Sequence, residues 1–470
     1  MSTPIKFGTD GWRAIIADTF TNTNVARVAT ATASWLCQNA EKPAAVVGYD
    51  CRFGGLMFAE ITAKVLCQHG VKVYFTTHFC STPMVSLATN RLGCQLGVIL
   101  TASHNPPSYN GYKLKAQFGG PAAPSVITAV ENLIPDHAEI PTATMESLVA
   151  NGQLEYVDFE EMYFQQVMAS FDMAAIHQAN LKVVYDAMYG AGQRVLPRIL
   201  PNADLLHCDY NPSFKGQAPE PIHKNLLQLS EHIRQTGDYD LGIATDGDAD
   251  RIGLYSPDGK FVDSHHIILL LIYYFYHFKG EQKGKIVIAF SVTEKAKRLC
   301  EKLGLDYEIT KIGFKYIGEI MVQPTEHVIV GAEESGGIAV IGHVPERDGI
   351  WISLLVLEMM AKTGKTLQQL IDEVYALVGS FTYDRDDLHI TNEIKQRVLD
   401  QCNADAYQQF GKFKPTHRET IDGFKYHFAN GDWMMIRASG TEPVLRVYAE
   451  SNSPAAVREL LDDIKATILA

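Results

Sequence analysis

Three stretches of this chain repeat one order of events: a β-branched run, a helical pattern, and a later apolar run opening into a polar, glycine-containing loop. The first comprises "AAVVGYD" (44–50), "VKVYFTT" (71–77) and "LGVILTASHN" (96–105). The second comprises "LKVVYDAM" (181–188), "ADLLHCD" (203–209) and "YDLGIATDGDADR" (239–251), and the third "KIVIAFSV" (285–292), "LDYEITKI" (305–312) and "HVIVGAEESGG" (327–337). Strands alternating with helical patterns predict α/β units, and open α/β sheets bind ligands beyond strand ends. The recurrence therefore predicts three related α/β domains, each lending one loop to a shared central cleft.

The last eighty or so residues break the pattern. "GFKYHFANGDWMMIRAS" holds two alternating runs joined by Asn430-Gly431, a strong hairpin signal, and "VLRVYAE" supplies a further strand. Ser453-Pro454 then opens a helix with Val457, Leu460, Leu461, Ile464 and Ile468 on one face. A small α+β domain is expected to close the chain. At 470 residues the sequence exceeds one hydrophobic core, and four segments are expected: 1–170, 171–278, 279–385 and 386–470.

A formal net charge of −13 argues against nucleic acid, which needs a basic stripe, so an anionic partner must be met by local arginines and lysines in a pocket. The longest apolar run, Ile267 to Tyr276, is too short to span a bilayer and predicts a buried helix instead. The start "MSTPIKFGTDGW" has no apolar secretory core. Eight cysteines without a C-x-x-C pair suit reduced thiols in a cytoplasmic protein.

Four loops carry possible chemistry. "DGDADR" sets Asp246, Asp248 and Asp250 two residues apart at a strand exit, either a solvated acidic turn or an all-oxygen seat for Mg²⁺ or Ca²⁺. An EF-hand is excluded, since it needs Gly where Arg251 stands and Glu where Pro257 stands. A haloacid-dehalogenase-type phosphatase would use the first aspartate as nucleophile, but Asp250 stands where that family has Thr or Val. "GAEESGG" offers Glu333, Glu334 and Ser335 as acceptors for sugar hydroxyls, or an ordinary glycine-flanked acidic turn. "RASGTEPVLR" combines Arg437, Ser439, Gly440, Thr441 and Arg446, donors that suit a phosphate, or a surface turn with incidental arginines.

"TASHNPPSYNGYK" (101–113) oversupplies turn chemistry. Ser103 lacks the G-x-S-x-G setting of a hydrolase elbow, and in an extended segment His104 would diverge from it, so no Ser-His relay is implied. "GYDCR" and "YGAGQ" lack a dinucleotide fingerprint, and the first is read as a turn with a structural Asp50–Arg52 pairing.

In order along the chain, "FGTDGWR" (7–13), "TASHNPPSYNGYK", "TDGDADRIG" (245–253), "TKIGFKYI" (310–317), "EESGG" (333–337) and "RASGTEP" (437–443) resemble the motifs of the α-D-phosphohexomutase family, the phosphoglucomutases and phosphomannomutases. The resemblance implies that Ser103 is a phosphoserine and that Ser103, Asp246, Asp248 and Asp250 hold Mg²⁺. It implies that Arg13 and Arg251 hold the phosphoryl region and that Lys113 transfers a proton, while His104, from its own setting, is either a satisfied turn residue or a ligand contact beside Ser103. A lysine base needs a lowered pKa, which nearby arginines favour and carboxylates oppose.

Glu333 and Ser335 are similar to sugar-hydroxyl readers, Lys315 to a further substrate contact, and Arg437, Ser439, Gly440, Thr441 and Arg446 to a clamp on the non-transferring phosphate. The implied reaction interconverts hexose 1- and 6-phosphates through a 1,6-bisphosphate, glucose 1,6-bisphosphate being intermediate and activator. A small-molecule sugar-phosphate partner, no nucleic acid, no membrane, and a monomer or homodimer are expected. Ala14 departs from the family's glycine. Gly337 stands where mannose-using members carry histidine, and the glucosamine type carries a Gln in the loop, so the pattern favours glucose. A Mg²⁺-dependent phosphatase and a non-catalytic sugar-phosphate binder are the rival readings. His343 and Arg347 follow the sugar loop without an assigned role.

Overall fold

The computed structural model describes residues 4–8, 10–438 and 444–470. Four sheets follow one another along the chain. The first has six strands in the order Trp12–Ile15, Tyr109–Ala116, Leu96–Leu100, Ala44–Tyr49, Lys72–Thr76 and Leu154–Val157, the last four parallel and the first two antiparallel. The second runs Phe261–Val262, Ile252–Tyr255, Leu241–Thr245, Val183–Asp186, Asp204–Leu206, and the third Asp306–Thr310, Lys285–Ala289, Val328–Ala332, Ile338–Val340.

A common device emerges. In each of these mixed sheets a fully buried parallel strand (Leu96–Leu100, Leu241–Thr245 or Val328–Ala332) leaves the sheet through a polar loop. The chain then returns antiparallel to that same strand, as Tyr109–Ala116, Ile252–Tyr255 or Ile338–Val340. Strands covered on both faces read as continuous apolar runs, and function is left to the loop between them. The threefold recurrence in the sequence is this device repeated.

One continuous core joins the three α/β units: Val46, Ile99 and Phe159 share it with Tyr185 and Ile243 and with Leu270, Ile288, Val330 and Leu354. The apolar run Ile267–Tyr276 lies within helix Ser264–Phe278, which packs on helices Glu294–Leu303 and Leu367–Val378 and on strand Val328–Ala332. Among the described residues no helix is long and apolar enough to cross a membrane.

The fourth sheet is wholly antiparallel: Thr382–His389, Val444–Ser451, Trp433–Ala438, Phe424–His427 and His417–Glu419. Asn430-Gly431 makes the expected hairpin, with Gly431 at φ +86° and His427 opposite Trp433. Period-two alternation divides its faces. Met434, Ile436 and Val447 pack with Leu461 and Ile464 of helix Pro454–Leu469, which Ser453 caps. Trp433, Met435 and Tyr448 turn the other way and meet Phe290 of the third unit in a smaller apolar patch.

Candidate active site

Ser103 holds a left-handed backbone, φ +53°, unusual for a side-chain-bearing residue and stable only where its surroundings impose it. The imposing group is Arg52. Its buried guanidinium donates to the carbonyls of Ser103 (2.5 Å), Asn105 (2.7 Å), Pro106 (2.9 Å) and Tyr109 (3.1 Å), gathering the whole loop around one cation. Asp50 anchors this arginine: the Arg52 N–H donates to Oδ1 at 2.9 Å, Nε lies 3.4 Å from Oδ2, and Thr101 Oγ donates to Oδ2 at 2.5 Å. The Asp50–Arg52 pairing is thus structural, as read from the sequence, with a reach the sequence did not reveal.

Ser103 Oγ donates to Asp246 Oδ2 at 2.7 Å. His104 does not diverge: its Nδ1 lies 3.3 Å from Ser103 Oγ. The expectation of divergence assumed an extended segment, whereas the left-handed turn at Ser103 brings the two side chains together. Burial, reinforced by the charges of Arg251 and Arg13, holds the imidazole well below its ordinary pKa and therefore neutral.

Asp246, Asp248 and Asp250 leave strand Leu241–Thr245 on a fully buried loop, with ligand oxygens all within 4.8 Å of one another. This excludes a solvated acidic turn. Burial, with Asp248 and Asp250 adding to it, pushes the Asp246 carboxyl well above the usual range. Asp248 Oδ1 and Asp250 Oδ1 are buried with no hydrogen-bond partner among the described residues. Three carboxylates with orphaned oxygens fit a hard, oxygen-seeking cation.

Cations from elsewhere already converge here. Lys113 Nζ lies 2.8 Å from Asp248, 2.8 Å from Asp10 and 3.4 Å from Asp250. Arg347 Nη2 lies 2.7 Å from Asp10 and 2.8 Å from Asp250. Burial opposes the Lys113 ammonium, but Asp10, Asp248 and Asp250 together outweigh it and raise the pKa. Among the charges around Lys113 the carboxylates prevail over the arginines.

Arg13 Nη1 donates to Asn105 Oδ1 at 2.7 Å, and Nη2 lies 3.4 Å from Asp10. The Arg251 N–H donates to Asp246 Oδ1 at 3.0 Å, while its guanidinium faces Glu220 at 3.8 Å. Glu333 follows strand Val328–Ala332 on the third loop, and burial pushes its carboxyl up to about 7 against the opposing charge of Arg347. A backbone bond stitches this loop to the acidic one, Ile252 N–H to Gly336 C=O (3.2 Å), and the start of helix Gly349–Thr363 adds another, Gly349 N–H to Ala249 C=O (3.0 Å). Ser335 is half-buried on the loop, and Lys315, on helix Phe314–Met321, faces the Tyr316 ring at 5.2 Å. At Gly337 an added Cβ would meet Arg347 Cδ at 2.5 Å, so the arginine occupies the room a side chain there would need.

In the fourth domain Arg437 and Arg446 lie directly opposite each other on neighbouring strands. Like charges so placed repel unless an anion joins them. Asp422 at 3.3 Å from Arg437 and Asp387 at 3.9 Å from Arg446 answer only part of this charge, and the Nε of each arginine is buried without a hydrogen bond among the described residues. Ser439, Gly440 and Thr441 lie outside the described residues.

Three contributors escaped the sequence reading. Asp10 joins Lys113, Arg347 and Arg13; it stands inside "FGTDGWR", where a carboxylate beside an expected phosphate site was the available signal. Arg347 carries no role in the sequence patterns and gains one only from these contacts. Thr82, whose Oγ donates to Asp248 Oδ2 at 2.6 Å, gave no local sign, because its partner lies in another domain.

Comparison with known proteins accords with this arrangement. The four domain profiles of phosphoglucomutase/phosphomannomutase match residues 4–140 (α/β/α domain I), 161–259 (domain II), 263–378 (domain III) and 393–467 (C-terminal domain). A phosphoglucomutase/phosphomannomutase of Thermococcus kodakarensis is 28% identical over 97% of this chain and 96% of its own. A phosphoglucosamine mutase of Methanococcus maripaludis is 30% identical over 89% of this chain and 90% of its own. A solved structure from Thermus thermophilus, classed with the phosphomannomutases, is 34% identical over the full length of both chains, with a TM-score of 0.87. With all four domains matched in order, the chain belongs to the phosphoglucomutase/phosphomannomutase family and is a phosphohexomutase, an isomerase that relocates a phosphoryl group on a sugar.

Proposed function

We propose that this phosphohexomutase interconverts hexose 1- and 6-phosphates with glucose as its preferred sugar, using Ser103 as phosphoryl carrier and a glucose 1,6-bisphosphate intermediate. The observation that carries the reading is the Ser103 hydroxyl bonded to Asp246 beside two carboxylates with unpartnered oxygens. Asp246, Asp248 and Asp250, with an oxygen on Ser103, would hold Mg²⁺, which when bound supplies neutralisation of charge on the transferring phosphoryl group.

This chain's own residues do the rest. In the forward half-reaction the bond between phosphorus and Ser103 Oγ breaks and one to a sugar hydroxyl forms, while that hydroxyl's proton is delivered, in net terms, to Oγ. The resulting Ser103 hydroxyl is the state bonded to Asp246. His104, neutral and 3.3 Å from Oγ, is the titratable group placed to pass that proton. Lys113, paired with Asp10 and Asp248, is placed to hold negative charge and to take part in proton transfer. Arg13 and Arg251 orient the phosphoryl group, Glu333 and Ser335 read sugar hydroxyls, and Lys315 adds a substrate contact. Arg437 and Arg446 grip the second phosphate together with the segment containing Ser439, Gly440 and Thr441. A clamp that reads phosphate alone accepts either end of the bisphosphate, so one site serves both half-reactions.

Preference for glucose rests on the Glu-Glu-Ser loop and on Gly337, where Arg347 leaves no room for an imidazole. The test is ³¹P NMR of the protein with Mg²⁺ and glucose 1-phosphate, with and without glucose 1,6-bisphosphate, repeated with mannose and glucosamine 1-phosphates. A 6-phosphate signal that grows fastest for glucose and is stimulated by bisphosphate supports the proposal. Faster conversion of mannose or glucosamine overturns the sugar preference, and inorganic phosphate alone overturns the mutase mechanism.

A further inference from the structure

The fourth domain carries a second cluster of ligating side chains, remote in sequence from the acidic loop. On the edge strand His417–Glu419 the first and third residues share a face, and His427 stands directly opposite His417 on the neighbouring strand. One ligand atom from each of His417, Glu419 and His427 lies within 4.8 Å of the other two. The two imidazole rings are stacked, centroids 4.2 Å apart and 3° from parallel. His427 Nε2 is 2.9 Å from Glu419 Oε1, yet it is buried and makes no hydrogen bond among the described residues, because its direction does not suit that oxygen. Thr416 Oγ lies 3.3 Å from His417 Nδ1, leaving Nε2 as that ring's free nitrogen.

The surrounding cations do not close the site. Lys425 is held by Glu294 at 2.5 Å and by the Phe290 carbonyl at 3.0 Å. Lys297 also prefers Glu294, at 2.7 Å, and stands 3.7 Å from Glu419. Among the described residues Lys297, at 3.7 Å, is thus the ammonium that Glu419 shares with Glu294, and exposed His417 leaves an entry path from solvent.

We propose that His417, Glu419 and His427 form a binding site for a divalent transition metal of the zinc class. Two imidazoles and one carboxylate are a borderline-soft donor set that suits Zn²⁺ at about 2.0–2.2 Å, with a fourth position open to water. The all-oxygen loop of Asp246, Asp248 and Asp250 instead suits a hard ion, so the two sites select different metals by donor chemistry. Zinc here would tie the edge strand to its neighbour, beside the point where Glu294 and Lys297 of the third unit meet the fourth domain.

The experiment uses the full-length, untagged protein, stripped with chelator and then saturated with Mg²⁺ to fill the acidic loop. Co²⁺ is titrated in while visible absorption is followed, Zn²⁺ is used to displace it, and bound metal is counted. His417→Gln, chosen because residue 417 is exposed, is compared with Asp248→Asn, folding being checked by circular dichroism. One equivalent bound, weakened ten-fold or more by His417→Gln and unaffected by Asp248→Asn, is expected. Binding that survives His417→Gln, binding lost in Asp248→Asn, or no binding at all overturns the proposal.

Discussion

No side chain fits at residue 247: a Cβ there would lie 2.5 Å from the carbonyl oxygen of Ser103. The acidic loop and the serine loop touch backbone to backbone, and that contact sets the distance over which phosphoryl transfer takes place. Gly247→Ala is expected to push the loops apart, costing about 1–3 kcal/mol of stability and roughly 100-fold in kcat. Thermal unfolding and steady-state rates measure the two effects, and an unchanged kcat would contradict a transfer geometry set by this contact.

Ser103→Ala removes the proposed carrier and leaves the clamp and sugar loop in place. Turnover is expected to vanish while glucose 1-phosphate binding, followed by calorimetry, persists within a few-fold. Equal rates in variant and wild type would exclude a phosphoserine.

Arg52 serves four loop carbonyls from a fully buried position. Arg52→Met strands those acceptors and the Asp50 carboxylate, with an expected cost of about 3–5 kcal/mol in urea unfolding. Any protein that still folds is expected to turn over poorly, since the Thr101 Oγ that accepts from the Ser103 N–H and the Asp246 bond to its Oγ remain but the carbonyl side of the turn is released. A variant of native stability and rate would show that the loop organises itself.

Arg446→Ala is expected to raise KM about ten-fold for glucose and mannose phosphates alike, with a smaller effect on kcat, because this arginine would meet phosphate and not sugar. A loss confined to one sugar would move Arg446 from the clamp to the specificity pocket.

Glu450, facing the interface between the third and fourth units, is buried, and burial pushes its pKa up to about 7 against the opposing pull of Thr293, Lys295 and Lys425. The folded form therefore keeps a proton that the unfolded chain, titrating near 4.5, has lost. Stability falls as pH rises from about 4.5 to about 7 and is flat above that window. Glu450→Gln removes the titration. The variant is expected to gain on wild type by at most about 3 kcal/mol at pH 8, with the gap shrinking toward pH 4.5. A pH-independent gap would show that Glu450 does not titrate across that window.

What was legible in the sequence follows from how local each feature is. Strand exits bearing three aspartates or paired arginines are rare local patterns, so Asp246, Asp248, Asp250, Arg437 and Arg446 stood out, as did the Asn430-Gly431 hairpin, whereas Ser103 gained its expected role only from the ordered set of motifs that resembles a family. What stayed hidden is long-range. Thr82 reaches Asp248 across 166 residues, and Arg347 reaches Asp10 across 337. The environment of Lys113 was a contest between opposing charges whose distances only the fold defines. The approach of His104 to Ser103 depended on one backbone angle that no residue-level rule assigns to serine. His417 and His427 are ten residues apart and meet only through strand register.

The three α/β units share one core, whereas the fourth domain has its own and meets the third through the small patch around Phe290, Trp433, Met435 and Tyr448 and a few polar contacts such as Glu294 with Lys425. In the language of native-state hydrogen exchange, this division predicts two cooperative units of unequal coupling. Amides of the fourth sheet can exchange through local openings that leave the chemical loops protected. A bisphosphate gripped at one end by Arg437 and Arg446 and at the other by the Ser103 loop would bridge both units. Its binding free energy then becomes an added clasp between them, and the fourth sheet acquires its fullest protection only while the intermediate is bound.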